Sequence, residues 1–179
     1  MMRRFILALT AVAAICTGGA RADDAYLLDQ AMAKAVQTLD AALPQLAALP
    51  FGVDTIAYRA ALTQRRFQAA QWGSPVDLAV EIRPEASGSC SRFAAFVVTP
   101  PKGGTIPLVL CPKFLTAGAD ALRELTILHE LVHVVAGPDE CRAMAFAAHV
   151  EQAAKGRFTP VDAYWRANGC PGSAFNLPN

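Results

Sequence analysis

Beyond its first four residues this sequence has no cluster of Lys or Arg, and its formal net charge is only +1. Nucleic acid and anionic membrane surfaces are therefore not expected as partners, because both are held through concentrated positive charge. No apolar run reaches the roughly 20 residues that a bilayer-spanning helix needs. No two cysteines stand in the close C-x-x-C spacing of a thiolate zinc site. Internal repeats, low-complexity stretches and interdomain linkers are also missing, so one domain is the default. Histidine is scarce, with three in 179 positions.

Residues 1–22 read as a secretory signal peptide. Met1-Met2-Arg3-Arg4 is a short basic start, Phe5 to Cys16 an apolar core, and Ala20-Arg21-Ala22 supplies small residues at a cleavage site after Ala22. Ile15 before Cys16 argues against lipid attachment. The mature domain, residues 23–179, is expected to be exported to a periplasm or secreted, free of the membrane, and monomeric, being large enough to bury its own core. Its four cysteines in an oxidising compartment imply two disulfides. Phe93–Thr99 and Ile106–Leu110 are β-prone runs around the turn Pro100-Pro101-Lys102-Gly103-Gly104, so Cys90 and Cys111 flank the open end of a hairpin and should pair. Cys141 and Cys170 are left for each other.

Apolar residues at helical spacing from Ala25 to Leu43 predict a first helix, ended by Pro44. Asp54 is a good N-cap for a second, running through Tyr58, Leu62 and Phe67 to about Gln71. Val76–Ile82, Phe93–Thr99 and Ile106–Leu110 should form a small antiparallel sheet. After Gly118 a helix with almost no polar face follows, which must be buried. Gly137-Pro138 stops it, Asp139 caps a helix from Glu140 to about Lys155 that folds back on it, and a short helix carrying Tyr164 and Trp165 begins after Thr159-Pro160. The expected fold is α+β, a small antiparallel sheet beside a buried helix, with a helical C-terminal half.

Two of the three histidines sit in that buried helix, as His129-Glu130-Leu131-Val132-His133. Residues four apart on a helix point nearly the same way, so His129 and His133 can grip one metal ion. Glu130, turned partly aside, stays free to hold and deprotonate a water, the task of a general base. Chance would produce this pattern in about two of a thousand sequences of this composition. Without a metal, burying two imidazoles and a carboxylate costs several kcal/mol. Zinc, one ion, suits such a donor set.

A third ligand is required, and Asp139, Glu140, His149 and Glu151 lie downstream. In an antiparallel helical pair turning at Gly137-Pro138, His133 faces the first turns of the second helix, which favours Glu140. Glu151 points almost the same way but about 16 Å further along, and is the second choice or an outer carboxylate. Asp139 is more simply an N-cap. His149 projects from the opposite face. His129-Glu130-Leu131-Val132-His133 followed by Glu140-x-x-Ala143 resembles the zincin metallopeptidases, particularly the gluzincin branch. The resemblance covers about residues 118–155. It implies that His129, His133 and Glu140 bind zinc, that Glu130 is the base and that an edge strand holds extended peptide. The gap from His133 to Glu140 is shorter than in larger gluzincins. The metzincin histidine and the full aspzincin motif are absent, though Asp139 would be the ligand if the aspzincin analogy were the closer one. Tyr164, His149 and Arg142 are candidates for stabilising an oxyanion, with exposure or packing the simpler role for each.

The function expected is zinc-dependent hydrolysis of peptide bonds in a peptide or protein substrate. A zinc amidase acting on cell-wall peptide, and a non-catalytic disulfide-stapled interaction protein with a structural zinc, are the alternatives.

Overall fold

The structure, a computed structural model, describes residues 18–47 and 50–179, and side chains from residue 23 onward. The expected signal core, residues 5–16, lies outside the described residues. Helix α1 spans Gly18–Ala42, longer at its start than its apolar pattern predicts. Leu28, Ala31, Met32, Ala35, Leu39 and Ala42 form its buried stripe, which packs on the three helices described next.

Helix α2 (Thr55–Gln64) starts as expected: a side-chain oxygen of Asp54 accepts the amides of Ile56 and Ala57 at 2.9 and 3.1 Å. It does not run on to Gln71. Arg65 turns left-handed (φ 54°), and Arg66–Gln68 becomes strand β1. The reason is tertiary. Phe67 gains burial opposite Val76 when the chain leaves the helix, and sheet pairing replaces the lost helical bonds.

Strands β2 (Pro75–Ile82), β3 (Ala95–Val97) and β4 (Thr105–Leu110) complete a four-stranded sheet in the order β1-β2-β4-β3. The β3–β4 hairpin forms as predicted, closed at its open end by the Cys90–Cys111 disulfide. The sheet is not wholly antiparallel, however. β4, not β3, lies against β2, and the two run parallel from Asp77↔Thr105 to Ile82↔Leu110. Sheet order puts the more apolar strand in the middle: Ile106, Leu108 and Leu110 face the main core, while Val109 faces a small cluster with Cys90 and Cys111. A strand apolar on both faces belongs inside a sheet, and β3 then serves as the outward excursion that lets β4 return parallel.

Helix α3 (Asp120–Ala136) is buried from Arg123 to its end. α4 (Glu140–Lys155) folds back on it after Gly137-Pro138, with Asp139 capping the amide of Arg142 at 2.9 Å. α5 (Asp162–Ala167) follows, and the Cys141–Cys170 disulfide ties the chain beyond it to the first turn of α4. The carbonyls at the end of α3 are satisfied from outside the helix: Trp72 Nε1 donates to Val134 O at 2.6 Å and Arg142 Nη1 to Ala136 O at 2.7 Å. The whole is a single α+β domain whose buried α3 carries the two-histidine motif.

Candidate metal centre

α3 and α4 bring three donor atoms together. His129 Nε2 lies 3.1 Å from His133 Nε2 and 3.1 Å from Glu140 Oε2, and His133 Nε2 lies 3.5 Å from that same oxygen. Both imidazoles are buried, and Glu140 is half-buried at the mouth. His133 Nδ1 is 3.0 Å from the carbonyl of Gly137, which can only accept, so Nδ1 carries the hydrogen and the neutral ring keeps its lone pair on Nε2. The ring is thereby oriented with Nε2 toward His129 and Glu140. Nδ1 of His129 is buried with no hydrogen-bond partner among the described residues. These three residues form a group that could hold a metal ion.

Glu130 sits beside the group without joining it. Its Oε2 accepts the amide of Val97 on β3 at 3.1 Å, which holds the carboxylate between sheet and helix. Burial pushes its pKa up to about 8; His133 and the Val97 amide pull the other way, and Glu140 adds to the rise. Burial also lowers the pKa of His129, against the opposing bond to Glu140. For His133 burial disfavours charge too, but Glu140, Glu130 and the Gly137 carbonyl together carry the pKa above the ordinary value. Glu140 is disfavoured by burial yet held well below the usual carboxylate range by its bonds to His129, His133 and Tyr164.

Tyr164 on α5 lies at the site. Its hydroxyl donates to Glu140 Oε2 at 2.7 Å, and its ring stands edge-on to His129 at 5.7 Å. Burial and the neighbouring Glu140 raise the phenol's pKa far above normal, so it remains a donor. The other candidates lie elsewhere. Asp139 is the α4 cap. Glu151 is buried but engaged by Lys155 Nζ at 3.0 Å and the amide of Thr159 at 2.8 Å. His149 packs on Phe51 and pairs with Asn176 O, and Arg142 closes the end of α3 and lies over Phe175. The contact from Val97 was not foreseen, because no side-chain pattern marks a backbone amide on a short strand.

No family model, no curated protein and no solved structure matches the chain. Fold and site define an α+β protein in which two buried histidines and the half-buried Glu140 form a group that could hold a metal ion. Its two disulfides fit an extracellular location, and among the described residues no helix is long and apolar enough to cross a membrane.

Proposed function

We propose that this chain is an exported zinc-dependent hydrolase of peptide bonds, with Glu130 as general base. The observation that carries the reading is the spacing of the three donor atoms, 3.1, 3.1 and 3.5 Å. Ligands about 2.0–2.1 Å from a tetrahedral zinc stand about 3.3 Å apart. His129, His133 and Glu140 thus supply one face of such a shell, two neutral imidazoles and a carboxylate, and leave the remaining direction open.

A bound zinc ion would supply a Lewis acid for the scissile carbonyl and acidify water at the site. The remaining chemistry belongs to the chain. Glu130 Oε1 is free of the Val97 bond and takes the water's proton, then returns it to the leaving amine. A positive ion beside Glu130 favours its charged form and so offsets the burial that raises its pKa. The Tyr164 hydroxyl orients Glu140 and is a neutral donor on the side of the site that α5 faces. Residues 1–22 are read as the export signal, removed after Ala22; the two disulfides fit the oxidising compartment that export implies.

The test is metal content and hydrolysis of an unstructured protein by the purified chain, by Glu130→Gln and by Glu140→Ala. One zinc per parent chain, full zinc without cutting in Glu130→Gln, and loss of zinc in Glu140→Ala are expected. Equal zinc in all three, with none cutting, would reject both the ligand set and the hydrolase reading. Intact mass of the exported chain should correspond to a start at Asp23.

A further inference from the structure

Two cavities flank the donor group and share Phe93, Glu130 and Tyr164, so a chain crossing the site has room on either side of it. The smaller, about 110 Å³, runs past Phe96, Val97 and Pro138. The larger, about 360 Å³, has apolar walls of Leu122, Leu125, Met144, Val161 and Ala163. Two cations break that apolar lining, Arg92 and Lys113, and Glu130 at the reacting end is its only carboxylate.

The cations are placed by the disulfide. Each follows a paired cysteine by two residues, in Cys90-Ser91-Arg92 and Cys111-Pro112-Lys113, so closing Cys90–Cys111 brings both to one wall. Lys113 Nζ donates to Ser91 O at 3.0 Å and Arg92 O at 2.8 Å, which fixes the ammonium and leaves one of its three hydrogens uncommitted. Arg92 is held over the Phe93 ring at 5.2 Å. Among the described residues neither takes part in an ion pair. Two positive charges beside an apolar cavity, Lys113 anchored by its two carbonyls and Arg92 resting on Phe93, are complementary to an anion attached to an apolar group.

We propose that Arg92 and Lys113 bind the free C-terminal carboxylate of a peptide whose last residue is large and apolar, so that the chain removes such residues from peptide ends. The inference rests on the peptide-bond reading and names its substrate class. Size favours a terminal residue over a passing chain: the cavity is at the low end of the roughly 300–1,000 Å³ of small-ligand sites, enough for one large side chain with its carboxylate. The Thr159-Pro160-Val161 segment lines one wall.

The experiment uses acetyl-Gly-Ala-Phe as free acid and as amide, with the parent and an Arg92→Gln, Lys113→Gln double variant. Both positions are exposed, and melting checks that the variant folds. Cutting by the parent should favour the acid by about tenfold or more in kcat/KM, through KM, and the variant should narrow the preference to about twofold. Binding of both peptides to zinc-loaded Glu130→Gln protein, by calorimetry, should show the same preference and its loss when the two cations are also replaced. Acid and amide bound and cut alike by an active parent would overturn this assignment while leaving the hydrolase reading intact. So would a preference for an internal Asp or Glu over the free terminus. If the acid binds through Arg92 and Lys113 but the parent cuts neither peptide nor protein, the site stands and the hydrolase reading falls.

Discussion

Gly137 ends α3 with φ +91° and ψ −173°, a backbone region left almost wholly to glycine. A Cβ there would stand 2.5 Å from Gln71 Nε2, and the same residue's carbonyl orients His133. Gly137→Ala should therefore lower stability by about 1–3 kcal/mol and metal affinity by about 10- to 100-fold. Chemical denaturation and titration against a competing chelator measure the two; unchanged affinity would show that the carbonyl does not set the ring. Tyr164→Phe keeps the ring beside His129 but removes the bond to Glu140, and should weaken metal binding by about tenfold with the melting temperature nearly unmoved. At this scale His129, Glu130 and His133 were legible because a helix fixes what four residues of separation mean. Tyr164 was named as a candidate but could not be placed, since nothing local says how far α5 swings toward α4.

Three helices meet at one polar cluster. Glu124 on α3 accepts from Lys155 Nζ at 2.7 Å and also from Thr38 Oγ1 on α1, and Lys155 reaches Glu151 one turn back on α4. Burial works against charge on Lys155, but Glu124 and Glu151 outweigh it and raise its pKa. A raised folded-state pKa stabilises fully below the ordinary lysine value, about 10.4, and that contribution is lost as pH climbs through the raised value. Lys155→Met leaves two buried carboxylates uncompensated and should cost about 1–3 kcal/mol at neutral pH, allowing for the lysine's partial exposure. The gap between parent and variant should shrink above pH ~10.4, which denaturation at several alkaline pH values reads directly; a pH-independent gap would assign the loss to packing. Most element boundaries could be read because caps and breakers are local: Asp54, Asp139 and Gly137-Pro138 all act as expected. The end of α2 and the parallel β2–β4 pairing could not, because both depend on which distant strand is available.

Across the whole molecule the two disulfides hold different parts of the site. Cys141–Cys170 closes a span of 29 residues and anchors the chain after α5 to the helix that carries Glu140. Replacing both cysteines by Ala should cost about 2–4 kcal/mol and, by freeing α5, weaken metal binding in the same sense as Tyr164→Phe. Replacing Cys90 and Cys111, 21 residues apart, should cost a similar about 2–4 kcal/mol but spare metal affinity, since neither segment carries His129, His133 or Glu140. Melting with metal titration on both double variants separates the cases; equal loss of metal would mean that the site depends on global stability alone.

By itself the sequence determined the α+β class, the buried motif helix, both cysteine pairings and the nearness of Glu140 to the two histidines, because each follows from short-range periodicity, capping, the geometry of one turn between two helices, or a hairpin that brings Cys90 to Cys111 and leaves Cys141 for Cys170. Only the tertiary structure decided that β4 runs beside β2, that a β3 amide holds Glu130, that Tyr164 reaches Glu140, and that Arg92 and Lys113 share a cavity wall. Those are meetings of residues far apart in the chain. Their partners are selected by competition for burial across the whole core, which no local pattern records.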